Sequence, residues 1–163
     1  MSGPLVSVSK NVITVTATTD AETIGDNKVI CTGVEIANAF ASNGGTSIIK
    51  SISVLDIETV APAIDIVFSS VSDVITQDEG KAVGEDVAEL ATVLGNAEGV
   101  VKIVTGDYTN LVDCSLATKS SVDLVCKGAS DSNSLFMHII NRSGGNWVAS
   151  STGSMQVKLG IEY

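Results

Sequence analysis

Cys31, Cys114, Cys126 and His138 are the side chains that could bind a metal or pair as nucleophile and base. Zinc sites take ligands at close spacings, and these cysteines form no C-x-x-C pair. A serine nucleophile of the G-x-S-x-G type is absent, so His138 has no such partner in the sequence. It lies in "SLFMHIIN", out of phase with Leu135, Met137 and Ile139, where a histidine is more often structural than catalytic. Gly80–Lys81 precedes Ala82, where a phosphate-binding loop needs Ser or Thr. "DSNS" at 131–134 alternates oxygen side chains but lacks the glycine and distal glutamate of an EF-hand, leaving at most a loosely held surface calcium. The carboxylate pairs Asp78–Glu79 and Glu85–Asp86 fall in an acidic stretch where solvation explains them. "NRS" at 141–143 fits a glycosylation sequon that has meaning only on a secreted chain. The expectation is a non-enzymatic protein with no catalytic, cofactor-binding or metal residues.

The elements that would position any site read as strands. From Ile64 the apolar residues alternate (Ile64, Ile66, Phe68) while Asp65 and Ser69 point the other way, a period of two. Ile48, Ile52 and Val54 share a phase with Lys50, and Ile49 breaks it. Glu58 to Pro62 forms the connection. The pattern predicts strands at Val6–Val15, Val29–Ala37, Ser47–Asp56, Ala63–Ser69, Gly99–Thr105, Leu111–Thr118, Ser121–Lys127, Ser134–Asn141, Asn146–Ser150 and Ser154–Glu162. The last is the clearest, with Met155, Val157, Leu159 and Ile161 on one face. Turns fall at "SNGG", "ASDSN" and "RSGGN". "GEDVAELATVLGN" (84–96) has helical spacing, acids in its first turn and Gly95 as a cap, and predicts one short helix.

Ten short strands and one helix predict an all-β fold, an antiparallel β-sandwich of jelly-roll type, in a single domain spanning 1–163. Residues 1–7 are a candidate N-terminal arm, since Gly3 and Pro4 resist helix. The core must be built from Val, Ile, Leu and Ala, because hydrophobic residues are 44% of the chain and aromatic ones only 4%. Trp147, after the "RSGGN" turn, is either a strand residue covering the core edge or a loop-tip contact. The three cysteines, odd in number and among apolar neighbours, read as reduced core thiols. A formal charge of −10 argues against nucleic acid as partner. Ten acids and one base, Lys81, lie between Asp56 and Glu98. That stretch is a solvated surface or a face for a basic partner. "MSGPLVSVSK" has no signal-peptide pattern, and no run is long enough to cross a membrane as a helix.

One ordered set of motifs resembles a known group: "GGTSIIKSISVLD", "AIDIVFSS", "AELATVLG", "VVKIVTGDY" and the closing "SLFMHIINRSGGNWVASSTGSMQVKLGIEY". Together, from about Val29 to Tyr163, they look like the small auxiliary virion proteins of tailed bacteriophages, of the capsid decoration or cement type. The resemblance implies a jelly-roll-like protein in the virion, assembled in the host bacterial cytoplasm, with the major capsid protein and copies of itself as partners. A homo-oligomer follows, a trimer first and a dimer second. No binding residue carries over. A neck, tail or fibre-attachment protein is the alternative. A carbohydrate-binding module ranks below it, and a cupin-type enzyme lacks the histidines.

Overall fold

The computed structural model describes residues 10–17, 22–75, 96–150 and 154–163. The predicted helix at 84–96 falls almost wholly outside these, as does the candidate arm at 1–7. Eleven strands are described, β1 (Lys10–Thr16), β2 (Thr23–Ile24), β3 (Val29–Ile36), β4 (Thr46–Asp56), β5 (Ile64–Ser69), β6 (Ala97–Ile103), β7 (Tyr108–Leu111), β8 (Cys114–Lys127), β9 (Leu135–Asn141), β10 (Trp147–Val148) and β11 (Met155–Glu162). A single 3-10 turn at Thr105–Asp107 precedes β7.

The strands form a five-stranded sheet ordered β1-β11-β4-β8-β7, a four-stranded sheet ordered β3-β9-β5-β6 and the small β10-β2 pair. All neighbours are antiparallel. The pairings are nested: β1 with β11, β3 with β9, β4 with β8, β5 with β6. Each successive pair changes sheet, so the chain is one long hairpin rolled up. The β11–β4 and β9–β5 pairings join the rolled layers. That is an antiparallel β-sandwich of jelly-roll type.

One apolar cluster fills the space between the sheets, drawing Val15, Ile52, Val54, Val157 and Leu159 from one sheet and Ile36, Ile66, Phe68, Met137 and Ile139 from the other. β11 alternates as its sequence predicts, with Met155, Val157, Leu159 and Ile161 buried. β4 resolves the irregularity at Ile49. A register shift between Ile49 and Ser51 changes the phase, so Ser47 and Ile49 point inward before it and Ile52, Val54 and Asp56 after it. Ile48 faces outward.

Three expectations need correction. β5 is buried at all six positions, so Asp65 and Ser69 do not face solvent. A second cluster of Val29, Val67, Val74, Ile75 and Ile140 covers the outer face of this sheet, built partly from the segment after β5. Leu111–Thr118 and Ser121–Lys127 are not two strands. The chain turns at Val112–Asp113 and then runs through as β8, where Ser121 (φ 58°) and Asp123 (φ 51°) bend the strand without ending it. β2 and β7 were not foreseen, since two and four residues carry too little periodicity.

Gly33, at φ +61°, brings β3 against the following layer, and a Cβ there would meet the Ser72 carbonyl oxygen at 2.9 Å. Glycine is required at that position by both the conformation and the contact.

Candidate functional site

The residues singled out for chemistry are dispersed. His138 is fully buried in β9. Its Nδ1 accepts from the Gly33 N–H at 3.1 Å and lies 2.7 Å from Thr32 Oγ1. Its Nε2 lies 2.8 Å from Ser69 Oγ, which donates to the Val71 carbonyl. The network assigns the proton to Nε2 and leaves Nδ1 as acceptor. Burial lowers the imidazole pKa from 6.5 to about 4. The ring thus pins the segment after β5 to the sheet as a neutral group.

The sign of the pH effect follows. The folded pKa lies below the unfolded one, so the contribution is complete above pH 6.5 and is lost as pH falls toward 4. Native stability should drop by up to about 3 kcal/mol across that window. Urea unfolding at successive pH values checks this, since His138→Gln should lack that component of the slope.

No disulfide joins the cysteines. Cys31 and Cys126 are buried, and burial pushes the Cys126 thiol up to about 12. Cys114 is not a core thiol. It opens β8 beside the β7–β8 turn and is half-buried. One thiol should therefore react in the native protein, and two more only after denaturation, as labelling with a thiol reagent with and without denaturant would show.

Three of the four "DSNS" side chains are spent within the fold, those of Ser132, Asn133 and Ser134. Ser134 Oγ donates to Glu35 at 2.6 Å, Ser132 Oγ accepts from the Ser134 N–H, and Asn133 donates to Asn38. Among the described residues no group of three metal-ligating side chains gathers. The acidic stretch is also divided. Asp56 is fully buried, and Asp65 is buried beside Arg142 at 2.9 Å, so neither belongs to a solvated face.

Trp147 is buried, as a core residue and not a loop-tip contact. Its Nε1–H donates to Asp56 Oδ1 at 3.2 Å, and the same carboxylate accepts from the Glu58 N–H at 3.2 Å and the Ala61 N–H at 2.9 Å. Glu58 in turn accepts from Ser150 and Ser154, and the Ser150 hydroxyl contributes most to holding its carboxyl below the usual range. These contacts fasten the β4–β5 and β10–β11 connections at one end of the sandwich.

That end is also where apolar side chains meet solvent. Ile103 pairs with Ile64, and Asp56 pairs with Ser115, itself opposite Asn110. The register thus brings Ile57, Val60, Val104, Leu111 and Val112 to the same end. They are five of the nine exposed large hydrophobics among the described residues, so exposed apolar side chains concentrate at this end.

The second surface is the outer face of the five-stranded sheet. Cross-strand rows run Lys10–Glu162–Ile48–Val125, Thr14–Lys158–Ser53–Thr118 and Thr16–Gln156–Leu55–Leu116–Thr109. A recess of about 390 Å³ lies over it, lined by Thr14, Ser53, Leu55, Leu116, Gln156 and Lys158. Lys10 pairs with Glu162 and Lys50 with Asp123 on the same face. Sequence reasoning missed these surfaces because an outward-facing strand residue looks the same whether water or a partner covers it.

No family model matches the sequence, and no curated protein matches it. A solved structure from Desmodium yellow mottle tymovirus is similar over 99% of this chain and 85% of its own length, at 12% identity and a TM-score of 0.33. A likeness at that score fixes neither fold nor function.

Proposed function

We propose that the protein is a structural component of a virus particle, an auxiliary protein of the decoration or cement type that binds the major shell of a tailed phage and neighbouring copies of itself. The nested strand order carries this reading, because the eight-stranded double Greek key is the architecture of many viral capsid domains. The ordered motifs from Val29 to Tyr163 support it independently. The apolar loop end supplies a surface suited to a protein partner. In this role the chain acts by binding and performs no catalysis. It is made in the host cytoplasm and resides in the virion. The same architecture serves lectins, but a sugar platform needs an exposed aromatic, and Trp147 is committed to the core.

Particles assembled without the protein provide the test. They should lose heat tolerance and regain it when purified protein is added back. Unchanged heat tolerance would move the assignment to the neck, tail or fibre attachment.

A further inference from the structure

Two features of the outer surface have no counterpart among the described residues. The first is the turn Val112–Asp113, set between the paired Leu111 and Cys114. A two-residue hairpin turn with positive φ at its first central residue favours glycine there. Here the first position is a β-branched residue at φ 34° and 98% exposed. A valine in that conformation is strained, and water gives it nothing in return. Asp113 beside it is exposed and makes no ion pair among the described residues.

The second is the recess over β1, β11, β4 and β8. Its apolar part is Leu55 and Leu116, and Lys158 stands beside them. Lys10 and Lys50 have carboxylate partners on this face, whereas Lys158 has none among the described residues. The turn offers an apolar knob followed by a carboxylate. The recess offers an apolar floor beside an ammonium.

We propose that the Val112–Asp113 turn of one copy seats in the recess of a second copy, with Val112 over Leu55 and Leu116 and the Asp113 carboxylate against the Lys158 ammonium. Knob and recess share one sheet, with Leu116 four residues after Val112 on the same hairpin. One two-fold contact therefore satisfies both copies at once. Cys114 lies between them on the outward side with Leu116 and faces its own counterpart across the axis. The net charge of −10 opposes association at long range, so the contact needs salt enough to screen it. This deepens the assembly role by naming a contact between copies, and corresponds to the dimer, not the trimer. It is measured without any shell, so its failure leaves the shell-binding test untouched.

Sedimentation equilibrium of the purified protein at about 100 µM and about 0.15 M salt provides the test. The expected result is a monomer–dimer equilibrium that Lys158→Glu and Val112→Asn each weaken by about tenfold or more. Val112→Asn should keep or raise the melting temperature, because Asn tolerates the left-handed region, so its loss of dimer is not a loss of fold. The paired reversal Asp113→Lys with Lys158→Glu should restore the dimer. Mild oxidation should trap it through Cys114 and fail in Cys114→Ser. A wild-type protein that stays monomeric under these conditions overturns the proposal, as does a dimer indifferent to Lys158→Glu and Val112→Asn.

Discussion

Removal of Met155–Tyr163 is expected to leave a chain with no cooperative unfolding transition. β11 lies between β1 and β4, so its loss strips both of a hydrogen-bonded neighbour. The deletion also removes four core side chains, Met155, Val157, Leu159 and Ile161. At about 1.5–3 kcal/mol each these contribute roughly 6–12 kcal/mol by transfer alone. A domain of this kind has about 5–15 kcal/mol of stability in total. The truncated chain should aggregate, lose near-ultraviolet circular dichroism and show no sharp melt. A soluble truncation with a sharp melt would mean that β11 is peripheral.

The second large effect is expected from Asp56→Ala. The carboxylate is fully buried and receives N–H groups from Glu58, Ala61 and Trp147. Alanine would leave three donors without that acceptor, two of them buried, and a cavity beside the indole. Each buried donor left unsatisfied costs about 1–3 kcal/mol, and the cavity adds to that. Trp147→Phe should cost less, because it removes one donor and keeps a six-membered ring in the site. Chemical denaturation of the two variants ranks them. The opposite ranking would place the anchoring energy in the indole packing rather than in the carboxylate.

The fold was legible where burial is one-sided. β11 and much of β4 alternate because one face meets the core and the other water, and that contrast is written in residue type. β5 misled for the converse reason. Both its faces are covered, and its two polar residues are satisfied inside, Asp65 by Arg142 and Ser69 by His138. Asp56 looked like part of an acidic surface because sequence does not show that three N–H groups converge on it. The β7–β8 turn was missed because its first central residue, Val112, is not a turn residue by type. His138 and Cys126 both lie inside the fold, the ring beside Ser69 and the thiol held up by burial. Cys114 was not separable from them, because its half-exposure depends on the unforeseen turn.

Binding of the purified protein to phage heads that lack it tests the proposed role most directly. Heads and protein would be mixed at about micromolar concentration, where a specific contact of standard size is populated. After sedimentation the bound protein is quantified against the major shell protein. The account predicts saturable binding at a fixed ratio to the shell subunits. Protein that stays in the supernatant at every concentration, while the same heads accept other auxiliary proteins, would contradict it.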